Sequence, residues 1–550
     1  MNQSTVTDPN TPGVESDVDN VDCPPLAPDQ DLFALSPTEY EAEFNRRIAD
    51  AQAKNPGTVE LAADASMARS LVPPATAALR NFSYVGAEIP EVIEGACIGC
   101  MECVTQCPDT AILAKVTLPQ TLEAMLGRIE GDDEKERLRK RWARTNKYFD
   151  VVEKRGEEPG LFGLFVDPSK CKGCGECVTA CGDHHALRMV PKRSATMALM
   201  RREFEFFASM PPTPTHFIRD KVLADMMLTE DRALLYTGGA GSCPGCGEAT
   251  ALRMMLAATG FVHGPQNVGI IAATGCNTVF GSTYPFNPFK LSWTNSLFEN
   301  AVAVAMGVRL RWDQIGWEKK RLWVVGGDGA LYDIGFGALS RMLASGYDIK
   351  VLVLDTQVYS NTGGQASTST FTAQAAKMAP FGRTVPGKLE HRKELAVLAM
   401  MHPETFVAQT SCAHVNHFYR AVMDANAYPG PAVINVYTTC QPEHGVGDER
   451  SVVQAKLAVE SRAHPLFVHD PRKGEKLSER LSLQGNPNAT GDWKIDRKNG
   501  RPVTFIDFAQ TEARFARQFD ADGNPSETLL RAEAERLQSW RRLQELAGIR

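Results

Sequence analysis

Val324-Val325-Gly326-Gly327-Asp328-Gly329 reads as the end of a buried strand that stops at a tight turn. The glycines permit positive φ and let the backbone approach a ligand closely, so Gly327 and Gly329 are candidate cofactor contacts beside Asp328. Leu331 to Ala344 reads as the following helix, with its N-terminus toward an anion. Ile349 to Leu354 is a second unbroken apolar run, hence a second buried strand. It runs into Asp355-Thr356-Gln357-Val358-Tyr359-Ser360-Asn361-Thr362-Gly363-Gly364-Gln365, a polar loop with its own glycine pair.

A carboxylate after one strand and a hydroxyl-rich loop after the next supply hard oxygen ligands. Such ligands suit Mg2+, which keeps phosphate oxygens among its six. An ordinary doubly wound fold with two glycine turns is the bland alternative, and Gly-Asp-Gly alone does not separate the two. Two such loops, about thirty residues apart across one strand–helix–strand unit, favour the ligand site. The layout is that of a thiamine diphosphate site, with Asp328 and the second loop holding Mg2+ and the diphosphate.

Outward from this unit, Asn267 to Ala273 is an apolar strand ending in Thr274-Gly275-Cys276. Ser296 to Arg311 reads as helix, Glu404 to Gln409 as a strand, Val415 to Asn426 as a helix, and Ala432 to Tyr437 as a strand before Thr438-Thr439-Cys440. This alternation predicts a parallel α/β sheet with helices on both faces and ligands at the carboxyl ends of its strands. Cys276, Asp328, Thr356 and Cys440 all follow strands and can converge on that edge. Cys243-Pro244-Gly245-Cys246 alone is equally a redox dithiol or half a zinc site. With Cys276 and Cys440 it makes four thiolates, enough for a cluster beside the thiamine site. Cys412 is expected to be a buried core thiol.

The chain has 550 residues and a net charge of −7. That length allows about two to four domains. No basic run suits nucleic acid and no apolar stretch reaches membrane-spanning length. An acidic, polar N-terminus without an apolar region argues against export. Fourteen cysteines, clustered at metal-ligand spacing, point to metal in a reducing, cytoplasmic compartment rather than to disulfides.

Cys97, Cys100, Cys103 and Cys107, followed by Pro108, match the C-x2-C-x2-C-x3-C-P run of bacterial ferredoxins. Cys171, Cys174, Cys177 and Cys181 repeat the spacing, with Gly182 in place of proline. Zinc ribbons use longer gaps. In two-cluster ferredoxins the fourth cysteine of each run ligates the other cluster. One [4Fe-4S] set should then be Cys97, Cys100, Cys103 and Cys181, and the other Cys171, Cys174, Cys177 and Cys107. Because the cysteines complete both sets, His184 and His185 read as ordinary loop residues.

Met1 to about Leu35 is expected to be disordered, with Cys23 an incidental thiol. Ser36-Pro37-Thr38-Glu39 is a capping box opening a helix whose Tyr40, Phe44 and Ala51 share a docking face. The insertion from Leu113 to Gly163 carries a charged helical stretch, and Lys192 to Arg232 reads as a basic, Pro-rich connection. After Arg462 the pattern weakens into loops until a last helix, Ser526 to Leu546, which reads as a packing arm.

Cys243 to Glu248, Ala273 to Cys276, Ser296 to Glu299, Gly327 to Gly335 and Asp355 to Gln365 closely resemble the pyruvate:ferredoxin (flavodoxin) oxidoreductase family. The resemblance covers that family's carboxyl-terminal half, its two-cluster ferredoxin and thiamine-diphosphate domains, from about Glu88 onward. It implies that Asp328 and Thr356 bind Mg2+ through side chains and Val358 through its carbonyl. It implies that Cys243, Cys246, Cys276 and Cys440 hold the cluster nearest thiamine, and that Asn361 lies near thiamine and substrate as a catalytic group. Thr439 stands where the family often has proline.

The resemblance also implies a fold class: an α/β parallel-sheet thiamine-diphosphate domain joined to an α+β bacterial-type 2[4Fe-4S] ferredoxin domain. The expected division is an acidic extension over 1–87, the ferredoxin-like domain over 88–195 and a linker over 196–235. The thiamine domain follows over 236–460, and a C-terminal extension over 461–550. The implied reaction is oxidative decarboxylation of pyruvate to acetyl-CoA and CO2, with electrons passing through three [4Fe-4S] clusters to ferredoxin or flavodoxin. The same chemistry on 2-oxoglutarate or another 2-oxoacid, and a pure electron-transfer subunit, stay open. In this family an amino-terminal domain supplies the glutamate for the thiamine aminopyrimidine and much of the substrate pocket. No such domain fits in Met1 to Glu88, so a separate subunit with the pyrimidine-binding and transketolase-like domains is expected, within a higher oligomer.

Overall fold

A computed structural model of the chain describes residues 36–54, 72–380 and 387–550. It divides into two units, Met1–Pro73 and Pro74–Arg550. The expected disorder of Met1 to Leu35, and Cys23, lie outside the described residues. In the first unit the helix Pro37–Phe44 opens on a capping box, with Ser36 Oγ accepting from Glu39 N at 3.3 Å and Glu39 Oε2 accepting from Ser36 N at 2.9 Å. It continues through a π turn, Asn45–Ala49, into Asp50–Lys54.

The second unit starts with short antiparallel sheets around the ferredoxin-type cysteines. β1 (Glu88–Val92) pairs with β5 (Leu187–Pro191). β2 (Ile112–Thr117), β3 (Trp142–Ala143) and β4 (Leu161–Val166) form a sheet in the order β2-β4-β3. Each cysteine run turns into a short helix, Glu102–Gln106 or Glu176–Cys181. The insertion folds as helices Pro119–Leu126 and Asp132–Lys140. Part of the stretch read as a connection is also helical, over Ser194–Ser209. Its Phe206 and Phe207 pack with Leu122, Leu126, Leu138, Trp142 and Phe165. Flanking arginines and prolines hide this apolar stripe, which becomes legible once it has the insertion to cover.

The main sheet contains β6 (Val268–Ala273), β7 (Ser292–Ser296), β8 (Arg321–Gly327), β9 (Lys350–Asp355), β10 (Phe406–Ser411), β11 (Ala432–Tyr437), β12 (Phe467–His469) and β13 (Leu481–Ser482). Its order is β13-β12-β10-β11-β9-β8-β6-β7. Strands β7, β6, β8, β9, β11 and β10 run parallel, and β12 and β13 add an antiparallel edge. The class is the expected mixed α/β one. Three local readings change. Ser296 ends an edge strand, and the helix begins at Asn300. Ser292 to Ser296 has no apolar run to betray it, because an edge strand here needs no second buried face. β12 and β13 are too short to leave a periodic signal. The helix after β8 is broken, with a wide turn over Gly329–Ile334 before Phe336–Ser345. Gly335 N bonds Ala330 O at 2.9 Å, and a Cβ on Gly335 would lie 2.3 Å from that oxygen.

Successive strand residues face opposite sides. Ile270, Ala272, Trp323, Val325, Leu352 and Leu354 join one core, which also contains Met101, Val104, Ile112 and Val166 from the cysteine-rich segment. Ile271, Ala273, Val324, Val351 and Val353 join the other, with Leu331, Leu339, Met342 and Trp540. The cysteine-rich segment and one face of the sheet therefore share a single apolar core. No helix among the described residues is long and apolar enough to cross a membrane.

Arg253, in the helix Gly247–His263, fastens that shared core. Its Nη1 donates to Val104 O at 2.9 Å, Thr105 O at 3.3 Å and Cys107 O at 2.6 Å, meeting carbonyls that the helix Glu102–Gln106 leaves unpaired at its end. Arg253→Met strips three buried acceptors of their donor. It should cost about 2–4 kcal/mol, seen as a lower urea midpoint at unchanged m-value.

Candidate functional site

The loops after β6, β8 and β9 enclose a cavity of about 220 Å3. Thr274, Gly275 and Cys276 line it from the first loop, Gly327 to Ala330 from the second, and Thr356, Tyr359, Ser360, Asn361 and Thr362 from the third. Phe298 and Ile334 supply an apolar rim, and Glu248 reaches in from the helix behind. Three neighbouring parallel strands thus deliver their carboxyl ends to one hollow, where such sheets bind ligands.

Oxygen ligands converge at its floor. Thr356 Oγ1 lies 3.0 Å from the Val358 carbonyl oxygen and 3.4 Å from Asp328 Oδ1, and it accepts from Ser360 Oγ at 2.8 Å. Ser369 Oγ donates to Asp328 Oδ2 at 2.9 Å. Burial, then repulsion from Asp355, pushes the Asp328 carboxyl up to about 7. A buried carboxylate whose close neighbours are hydroxyls, a carbonyl and other acids is a fitting seat for a hard cation. Gly329 has a steric reason as well, since a Cβ there would lie 2.8 Å from the Tyr359 ring. Tyr359 in turn donates to Asp333 Oδ2 at 2.6 Å, so the second and third loops press together.

Gln357, between Thr356 and Val358, holds a left-handed backbone at φ 59°. Its carbonyl accepts from Thr370 Oγ1 at 2.6 Å and Gln374 Nε2 at 3.2 Å. Arg514 grips its side-chain oxygen with both Nη atoms at 3.1 Å. His444 joins this loop to the one after β11. Cys440 N donates to His444 Nδ1 at 3.4 Å, which leaves Nε2 to donate to Thr356 O at 2.8 Å. Burial holds the His444 pKa well below the usual value, so the ring is neutral.

Four thiols gather beside the cavity. Cys246 stands at the start of the helix Gly247–His263, and Gly247 N bonds Thr439 O at 3.1 Å, which brings the Cys246 and Cys440 loops together. Cys276 lines the cavity itself. Its pKa is raised by burial, then by Glu248, Cys246, Cys440 and Cys243. Four thiols that repel one another as thiolates form a set that a cationic centre would relieve. Cys412 is buried in the core.

The ferredoxin-type cysteines sort into two further hollows. Cys97, Cys100, Cys103 and Cys181 line one, with Ile98, Phe162 and His184. Cys107, Cys171, Cys174 and Cys177 line the other, with Asp109, Lys172 and Glu176. The fourth thiol of each run accepts an amide hydrogen bond, Cys107 from Ala111 N at 3.3 Å and Cys181 from Ala186 N at 3.2 Å. Among the described residues no three His, Cys, Asp or Glu side chains close on a single-ion point. The thiols surround hollows instead, which fits polynuclear iron–sulfur groups.

Glu248 is the site residue that sequence reasoning quoted but gave no role. It is 5 % exposed, and its Oε2 has no hydrogen-bond partner. Burial, then Asp328, pushes its carboxyl up to about 8, so it carries a proton at neutral pH. The available signal was an acid two residues past a Cys-x-x-Cys pair, at the first turn of a long apolar helix.

Comparison with known proteins agrees with this geometry. The family profile described as thiamine pyrophosphate enzyme, C-terminal TPP binding domain, matches residues 273–436, and the 4Fe-4S binding domain profile matches residues 164–183. Pyruvate-flavodoxin oxidoreductase of Rhodospirillum rubrum is 28% identical over 534 residues, covering 82% of this chain and 41% of that protein. A probable pyruvate-flavodoxin oxidoreductase of Escherichia coli is 29% identical over 476 residues, covering 73% and 38%. The chain therefore spans about two fifths of the length of these curated relatives. A solved 2-oxoglutarate:ferredoxin oxidoreductase from Magnetococcus marinus aligns at TM-score 0.32 and 22% identity over 37% of this chain and 65% of that one. With a thiamine-pyrophosphate-binding domain and a [4Fe-4S]-binding domain in one chain, the protein is a homologue of the pyruvate:ferredoxin and pyruvate:flavodoxin oxidoreductases.

Proposed function

We propose that this chain is the thiamine-diphosphate and iron–sulfur part of a 2-oxoacid:ferredoxin or flavodoxin oxidoreductase, with pyruvate as the 2-oxoacid and coenzyme A as the acyl acceptor. One observation carries the reading: Cys276 and Asp328 line the same cavity. A thiol set able to hold an electron-accepting [4Fe-4S] cluster against the cofactor floor would serve an oxidative decarboxylation and has no use in a non-oxidative one. A cytoplasmic location suits this thiol-rich, reduced chemistry.

Thiamine diphosphate, when bound, supplies the electron sink that lets a 2-oxoacid lose CO2. The chain's residues do the rest by position and charge. Asp328, Thr356 and the Val358 carbonyl would offer three oxygens to a Mg2+ bound with the diphosphate. Glu248, protonated, can donate a hydrogen bond into the cavity. Phe298 and Ile334 give it an apolar rim, and Asn361 offers an amide there. Cys243, Cys246, Cys276 and Cys440 would hold the first [4Fe-4S] cluster. Cys107, Cys171, Cys174 and Cys177 would hold the second, and Cys97, Cys100, Cys103 and Cys181 the third.

In the oxidoreductase family that the chain resembles, an amino-terminal domain supplies the glutamate for the aminopyrimidine and much of the pocket for the substrate carboxylate. A separate subunit with the pyrimidine-binding and transketolase-like domains would supply both, within a higher oligomer. The 2-oxoglutarate reading rests on the same residues, and rates on several 2-oxoacids distinguish the two.

Four outcomes are expected. Anaerobically prepared chain should carry about twelve irons from three four-thiolate sets; iron analysis near eight would remove the cluster beside thiamine. Asp328→Ala should weaken Mg2+-thiamine diphosphate binding about a hundredfold while leaving iron content unchanged, as read by calorimetry and iron assay. In the parent, the cation needs the Asp328 carboxylate, whose pKa is about 7. Affinity should hold above pH 7 and fall about tenfold per pH unit below it; a flat profile from pH 5 to 8 would contradict the assignment. The functional test is turnover: the isolated chain should not oxidise pyruvate, and adding the completing subunit should produce acetyl-CoA and reduced ferredoxin.

A further inference from the structure

We propose that Lys172 is a positioning residue. It would set the spacing between the Cys243 thiol set and the Cys171 thiol set, and with it the rate at which electrons cross from the first to the second. The inference rests on the reading above that both sets hold [4Fe-4S] clusters.

Lys172 directly follows Cys171, and Ser242 directly precedes Cys243. The Lys172 ammonium joins them. It is 3 % exposed, and its Nζ lies 2.6 Å from Ser242 O, 3.0 Å from Ser242 Oγ, 2.9 Å from Ala240 O and 2.6 Å from Asp109 Oδ1. Ser242 Oγ also donates to Asp109 Oδ1 at 3.1 Å. Asp109 stands two residues after Cys107, the remaining cysteine of the Cys171 set. One buried ion pair therefore ties both ends of the Cys171 set to the loop that carries Cys243.

The loop itself is shaped for this contact. A Cβ on Gly238 would lie 2.6 Å from Lys170 Cγ, and one on Gly239 would lie 1.9 Å from Ala77 O. Glycine lets the backbone lie close against Lys170 and Asp109 at the first place and against Ala77 at the second before it turns into Cys243. A buried ammonium with four oxygen neighbours is far more than this loop needs to be covered, since an apolar side chain would fill the same space without the cost of burying charge. What the ion pair adds is a fixed distance and direction between Cys171 and Cys243.

The consequence is kinetic. Each crossing moves one electron. The group held at the Cys243 set is oxidised by one, the group held at the Cys171 set is reduced by one, and no bond or proton moves. The peptide of Cys171, the Lys172 side chain and the Ser242 carbonyl form a continuous bonded and hydrogen-bonded route between the two sulfurs. Loosening it lengthens the gap and removes the route.

The test is the double variant Lys172→Met/Asp109→Asn, which keeps the buried volume and leaves no lone charge behind. The single variant Ser242→Gly serves as a second probe that leaves the ion pair intact. Each is prepared in the assembled enzyme with its completing subunit, mixed with pyruvate and coenzyme A, and freeze-quenched for EPR. First-turnover CO2 release should match the parent, and each signal is scaled to the iron held, because Lys172 and Asp109 line the Cys171 hollow. The reduced signals of the ferredoxin-type sets should appear about tenfold more slowly or worse in the double variant, and detectably more slowly in Ser242→Gly. Parental rates of signal appearance in the double variant overturn the inference. Loss of iron from the Cys243 set also overturns it, because Lys172 would then be holding that set together rather than spacing it. A parent enzyme that releases CO2 but reduces no ferredoxin-type set overturns the underlying reading, and this inference with it.

Discussion

The geometry of the site depends on a buried ion pair at the end of β9. Asp355 is fully buried and pairs with Arg392, whose side chain is almost as deeply enclosed. Burial alone would raise the Asp355 pKa, but Arg392, His464 and the Tyr332 hydroxyl together hold it below the usual carboxylate value. Tyr332 OH donates to Asp355 Oδ2 at 2.8 Å, and Gln357 N to Asp355 Oδ1 at 3.2 Å. The same guanidinium also donates to Ser369 O, next to the hydroxyl that holds Asp328. Removing either partner would strand a charge in the sheet and release both loops, and that asymmetry keeps the strand ends in place.

A second layer of support comes from the C-terminal region. Phe505, Phe508 and Phe515 pack with Phe371 and Tyr437 in one aromatic cluster behind the loops. From that cluster Arg514 reaches Gln357, while Glu512 accepts from Tyr437 OH at 3.1 Å and from Gln454 Nε2 at 3.1 Å. The strained turn at Gln357 persists because these groups surround it. What reads in sequence as a trailing extension is therefore the back wall of the site, and its helix Glu527–Leu546 sends Trp540 into the core of the sheet's other face.

Lys172, Glu176 and Arg253 repeat one device. A buried polar side chain from one segment satisfies backbone groups of another. Glu176, between two cysteines, accepts from Ser451 N at 2.9 Å and Val452 N at 2.8 Å at the start of the helix Ser451–Glu460. Each bond is modest alone. Together they lock the thiol-bearing loops to the sheet within a shared apolar core.

The sequence by itself determined the strands β6, β8, β9, β10 and β11, because a strand buried on both faces must be an unbroken apolar run. It determined the cysteine runs and the two loops of the thiamine domain, because ligand chemistry demands fixed residue types at fixed spacing. It did not reveal β7, β12 or β13, whose short or polar stretches acquire meaning only from a neighbouring strand. His444, Arg514 and Lys172 were equally invisible as site residues. Each acts through a partner dozens to hundreds of positions away, and a hydrogen bond across that separation leaves no local pattern. Only the tertiary structure, by closing one core around both the sheet and the cysteine-rich segment, decided which side chains meet.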